Sequence, residues 1–129
     1  VILLLVLAAA ADAVPDCRDP RTQFEMNVCA AEDYKKADAE LNRQWAATVA
    51  RMRAQDKAGS VHRDGRPGYH AALLEAQRAW IKFRDLECRV EGYAMRGGSA
   101  EPMIVSGCLA EATRARTKQL RTMAEGYGN

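Results

Sequence analysis

Nothing in this sequence is apolar for the 20 or so consecutive residues that a membrane-spanning helix needs. The longest such run, Val1 to Ala11 (VILLLVLAAAA), ends at Asp12. Aromatic residues are few, with two Trp, four Tyr and two Phe in 129 residues. The β-branched residues are scattered and never alternate with polar ones over a strand's length, which excludes a sheet-based fold. An excess of one charge is also missing. Lys+Arg number 19 and Asp+Glu 17, for a net charge of +2 and a pI near 8.4, far from the positive surplus of a nucleic-acid binder. Proline is rare too: between positions 21 and 101 only Pro67 occurs, so long helices can run unbroken. Finally, four cysteines are present without a C-x-x-C pair, which speaks against a zinc site.

Several features are present and informative. The length and the mixed charge, 28% of residues, are those of one folded domain. The run Val1 to Ala11 has the length of the apolar region of an export signal, and Ala11-Asp12-Ala13 supplies an A-x-A cleavage site. We therefore expect residues 1–13 to be a signal peptide whose basic n-region is truncated, and residues 14–129 to be a single domain. Cleavage after Ala13 removes only Asp12 among the charges, leaving 19 basic against 16 acidic groups, or +3. Four cysteines in a short exported chain predict two disulfides, and a periplasmic or secreted location. No lipidation signal precedes Cys17, which follows Val14-Pro15-Asp16.

The expected fold is all-α: an antiparallel helical hairpin with a third packed helix and two disulfides. Thr22-Gln23-Phe24-Glu25 is a capping box. From it Phe24, Val28, Ala31, Tyr34, Leu41, Trp45, Val49 and Met52 recur at three- and four-residue steps to about Ala54, the stripe of one long helix. Lys57 to His70 holds three glycines and Pro67 and reads as a loop. A second helix is expected from about Ala71 to Arg96, stopped by Gly97-Gly98. A third follows Ser99 and Pro102 to about Ala124, its Arg114, Arg116, Lys118 and Arg121 complementing the negative helix end.

Asp38 and Arg84 interrupt the apolar stripes of the first two helices. An antiparallel register set by that pair also places Leu41 opposite Ile81 and Trp45 opposite Gln77. Asp38 and Arg84 are thus expected to form a partly buried structural ion pair. Four cysteines allow three pairings. Cys88 and Cys108 flank a turn centred at Gly98, and Cys17 lies just before the helix that carries Cys29, so Cys17–Cys29 with Cys88–Cys108 ranks first.

Three blocks, TQFEMNVCAAEDYKKADAELNRQW, AQRAWIKFRDLEC and GGSAEPMIVSGCLAEATRARTKQL, resemble the lysozyme inhibitor LprI-like family of small exported helical proteins. The resemblance runs over roughly residues 17 to 123 and includes Cys29, Asp38, Leu41, Asn42, Trp80, Arg84, Asp85, Cys88, Gly97, Gly98, Cys108, Thr113 and Arg116. It implies a disulfide-bonded helical domain of the cell envelope and inhibition of lysozyme. A lipid anchor is not implied here, for want of the lipidation signal.

No catalytic residue, metal or other cofactor is expected. The thiols are consumed in disulfides, no serine has a nucleophile's context, and His62-x-Asp64 with His70 sits on a glycine-rich loop without firm ligand spacing. Carboxylates such as Glu32 and Asp85 have Lys36 and Arg89 at i,i+4 and read as surface pairs. Glu40-Leu41-Asn42-Arg43-Gln44-Trp45 echoes Glu75-Ala76-Gln77-Arg78-Ala79-Trp80, too short to imply a repeat. Contact with a partner fits better, whether lysozyme or another secreted protein. A lysozyme cleft carries two carboxylates, and Ser60, His62, Arg63 and Arg66 of the loop are the candidates to meet them. Long-range steering of a positive protein toward a basic enzyme is unfavourable, so local acidity must compensate, with Glu32, Asp33, Asp38 and Glu40 as its expected source. The alternatives are a non-inhibitory envelope module binding another secreted protein or a glycan, and a cationic surface binder built on Arg114, Arg116, Lys118 and Arg121.

Overall fold

A computed structural model describes residues 14–59 and 64–126. The expected export segment, residues 1–13, lies outside the described residues. The described residues form three helices, α1 (Gln23–Ala58), α2 (Tyr69–Gly92) and α3 (Glu101–Glu125), with a 3-10 turn at Tyr93–Met95 between the last two. Among the described residues there is no strand.

Each helix end has a chemical cause. At the start of α1 the Glu25 N–H donates to Thr22 Oγ1 at 3.1 Å, and the Thr22 N–H donates to Glu25 Oε2 at 3.1 Å. This reciprocal cap is worth about 1 kcal/mol. The helix runs four residues beyond the expected Ala54, to Ala58, because nothing breaks it before Gly59. The start of α2 has no side-chain cap of its own. Asp56, near the end of α1, supplies one, accepting from the Tyr69 and His70 N–H groups at 2.7 and 3.0 Å. A Cβ at Gly68 would fall 2.7 Å from the Asp56 carboxylate, so any larger residue there makes that capping side chain shift. Regular α2 ends at Gly92, before the expected Arg96. Its last turn tightens, with Arg96 N–H donating to Tyr93 O at 3.2 Å and Gly98 N–H to Met95 O at 2.8 Å, which satisfies carbonyls a plain helix end would orphan. Gly97, at φ +75°, then reverses the chain into α3.

The contacts fix the directions. Cys88 meets Cys108 and Arg84 meets Thr113, so α2 and α3 are antiparallel. Asn27 reaches the Ser99 carbonyl and Thr48 the Leu120 carbonyl, so α1 and α3 run parallel, and theirs is the most extensive interface. The hairpin of α1 and α2 forms, but the detailed facing expected for it does not. Leu41 is buried, whereas Ile81 is 40% exposed. The inner stripe of α2 is Leu73, Gln77, Arg84 and Cys88, and it turns toward α3 as much as toward α1. Phe24, expected in the stripe of α1, is 73% exposed.

The apolar core is small: Leu41, Met52, Leu73 and Leu120, with Trp45, Val49, Trp80 and Met123 packed against it. The disulfides are Cys17–Cys29 and Cys88–Cys108, the pairing that the spacing ranked first. Closing loops of 12 and 20 residues, each contributes about 3 kcal/mol in the chain-entropy model.

Leu120 has no exposed surface, whereas Phe83 is 63% exposed. Urea unfolding should therefore show Leu120→Ala destabilised by about 2–5 kcal/mol and Phe83→Ala by less than about 0.5 kcal/mol.

Candidate functional site

Beside the core lies a polar seam at the α2–α3 interface. Arg84 is buried. Its guanidinium pairs with Asp85 at 2.8 Å, donates to Thr113 Oγ1 at 3.2 Å, and lies 5.0 Å from the Trp80 ring centre and 5.6 Å from that of Tyr34. Arg116, equally buried, stands 5.8 Å from the same Trp80 ring and donates to Gln77 Oε1 at 2.9 Å and Gln119 Oε1 at 3.1 Å. Burial lowers the pKa of the Arg116 guanidinium and raises that of the Tyr34 phenol. Among the described residues Arg116 has no carboxylate partner, and nothing there accepts from its Nη2. Indole and amide groups stand in for a counter-ion.

The expected ion pair between Asp38 and Arg84 is not the one that forms. Arg84 takes the adjacent Asp85, and the Asp38 carboxylate accepts from Asn42 Nδ2 at 3.2 Å, one turn along its own helix. Arg84 is drawn inward by Thr113 and Trp80, and Asp85 follows it in sequence, so the nearer carboxylate wins. The basic residues of α3 also differ from expectation. The last turn of α3 carries no basic residue, because the helix runs on to Glu125. Arg114 pairs instead with Asp33, and Arg121 with Glu40 at 3.6 Å, both bridging to α1. Arg114 holds the Asp33 carboxyl below the usual carboxylate range. With Arg116 buried and Arg114 and Arg121 matched, the cationic-surface reading keeps only Lys118, which is exposed, of its four residues. Glu32 pairs with Lys35 at 2.5 Å, not with Lys36.

Of the loop candidates, Ser60, His62 and Arg63 lie outside the described residues. Arg66 is exposed and its guanidinium is bound to Asp64 at 2.7 Å. His70 sits in the first turn of α2, its N–H on Asp56. All four cysteines are in disulfides. Among the described residues no three of His, Cys, Asp and Glu gather as metal ligands.

One open groove lies between α2 and α3. It has a volume of about 280 Å³ and is lined by Trp80, Phe83, Arg84, Glu87, Cys88 and Glu91 of α2 and Cys108, Glu111, Ala112 and Ala115 of α3. Phe83, Leu86 and Val90 crest the outer face of α2 beside it, 63, 44 and 63% exposed. No sequence expectation named this groove. The signal for it was an apolar i, i+3, i+7 stripe interleaved with Glu87 and Glu91.

The sequence model of the family described as Lysozyme inhibitor LprI matches residues 17–120. That span includes both disulfides, the seam and the groove. The chain is 48% identical over 130 residues to an uncharacterized protein of Rhizobium meliloti (strain 1021), an alignment that covers 98% of this chain and 94% of that protein. No solved structure matches.

The seam predicts a non-additive pair of substitutions. Arg116→Met alone strands the buried Gln77 carbonyl and should cost about 1–3 kcal/mol. Adding Gln77→Leu should recover part of that loss, as read by urea unfolding of the two single variants and the double variant.

Proposed function

Since the chain belongs to the lysozyme inhibitor LprI family, we propose that it is an exported protein that inhibits lysozyme by stoichiometric contact, with no reaction of its own. The observation that carries this reading is the family match over residues 17–120. The disulfides agree with an oxidising compartment outside the cytoplasm, and no helix among the described residues is long and apolar enough to cross a membrane.

An inhibitor of this kind has to lie over a cleft that holds two catalytic carboxylates. The α1–α2 connection is the proposed cleft-facing element, with Ser60, His62, Arg63 and Arg66 as its hydrogen-bonding and cationic groups. Its two ends leave a fixed base, because Asp56 of α1 caps the first turn of α2. A pre-organised base lowers the entropy lost when a loop is ordered on binding. The Arg66–Asp64 pair is neutral as a unit, so the cationic part of this contact falls to Arg63 unless that pair opens.

Clearance of bacterial cell-wall suspensions by a c-type lysozyme should slow when the mature, oxidised protein is added at stoichiometric amounts. Unchanged clearance at a large molar excess would remove the reading for that lysozyme class. Replacing residues 60–63 with Gly-Ser-Gly-Ser leaves the Asp56 cap intact. Loss of inhibition would assign the contact to residues 60–63, and full inhibition would acquit Ser60, His62 and Arg63.

A further inference from the structure

We propose that the groove between α2 and α3 is a docking surface for a basic protein, seating an arginine or lysine side chain of that partner among Glu87, Glu91 and Glu111 and against the Phe83 ring. The inference deepens the inhibitor reading and rests on it only for the identity of the partner.

The first observation is an apolar face that stands exposed among the described residues. Phe83, Leu86 and Val90 lie on one side of α2 at i, i+3 and i+7, turned away from the inner stripe of Leu73, Gln77, Arg84 and Cys88. A helix at the edge of a three-helix body ordinarily presents polar groups there, and a contiguous apolar crest rimmed by charge marks an interaction surface. The groove beside it, at about 280 Å³, falls just below the range of small-molecule pockets. It suits an inserted side chain better than a free ligand.

The second observation is charge. Although the chain as a whole is positive, the groove is bordered by three glutamates, and among the described residues none of them is ion-paired. Arg84 also lines the groove, but its charge is matched by Asp85. On α1, Glu32, Asp33 and Glu40 are each already paired, which leaves Asp38, bound only by Asn42 of its own helix, as a lone carboxylate without an aromatic crest beside it. Unmatched carboxylates next to an exposed aromatic face are complementary to a guanidinium or ammonium, by direct pairing and by cation–π attraction. A second copy of this chain is a poor occupant. A two-fold interface sets the same patch against itself, so glutamates would face glutamates. A basic partner has no such conflict. The groove therefore supplies the local acidity that a positive protein needs to hold a basic enzyme.

Two probes test this. In the first, calorimetric titration with a c-type lysozyme compares the wild-type chain with Glu87→Lys/Glu111→Lys and with Phe83→Ser. All three positions are exposed, and circular dichroism melts confirm that the variants fold. The charge-reversed variant should bind about tenfold or more weakly, Phe83→Ser should bind more weakly than wild type, and added salt should weaken the wild type more than the reversal variant. Wild-type affinity in the charge-reversed variant would overturn the proposal while leaving the inhibitor reading intact. If the wild type binds no lysozyme, the inhibitor reading fails, and the groove is judged by the second probe. That probe is a tri-arginine peptide titrated into the nitrogen-15-labelled chain. Amide shifts concentrated at Phe83, Glu87, Glu91 and Glu111, and abolished in Glu87→Gln/Glu111→Gln, support the groove. Shifts spread over the acidic residues of α1, or none at the groove, overturn it.

Discussion

The crossing of α2 and α3 at Cys88–Cys108 is the constraint on which the rest of the molecule depends. It sets the antiparallel register of the two helices, and that register brings Arg84 to Thr113 and Arg116 to Gln77. It also forms part of the wall of the groove. A central cluster of four large apolar side chains, with Ala37, Ala110 and Cys88 as the other buried apolar residues among those described, is too modest to specify a three-helix arrangement alone, and small exported domains commonly meet that shortage with covalent clamps. Gly92 belongs to the same constraint: a Cβ there would fall 2.5 Å from Val105 Cγ2, so the helices can approach as they do only with glycine at that position.

Charge is distributed in two distinct ways. Along the α1–α3 interface it is consumed internally, Asp33 by Arg114 and Glu40 by Arg121. These are half-exposed pairs, each worth at most about 1 kcal/mol, and each cancels its own charge at the surface. Inside, Arg84 and Arg116 are held by an indole, amides and a hydroxyl together with the single carboxylate of Asp85. The glutamates of the α2–α3 groove are consumed by neither arrangement. A net charge of +2 therefore conceals a surface whose sign changes from face to face, and the acidic face coincides with the exposed aromatic one.

What could be read from the sequence was mostly what is local. The capping box at Thr22 and Glu25, the three helices, the loop around Pro67 and the cysteine pairing depend on residues close in the chain or on the position of one turn. What escaped depends on which helix lies against which. Arg116 looks like a surface residue in the last turns of α3 until the packing of α3 on α2 is known, which presses this position on Trp80 and Gln77. Asp38 and Arg84 interrupt two stripes in a matching register, yet the third helix offers Arg84 a hydroxyl on Thr113, and the adjacent Asp85 takes its charge. The parallel α1–α3 interface joins segments some 70 to 80 residues apart, as in the contact of Thr48 with Leu120, and no local pattern announces it. The family resemblance, by contrast, was legible, because its residues cluster at the disulfides and the seam.

The most direct measurement joins the two partners covalently where they touch. Zero-length carbodiimide cross-linking of the oxidised chain to a c-type lysozyme, mapped by mass spectrometry, couples carboxylates to amines in direct contact. The account predicts links from Glu87, Glu91 or Glu111 to lysozyme lysines. Links arising solely from the carboxylates of α1, or a complete absence of cross-linked complex, would contradict it.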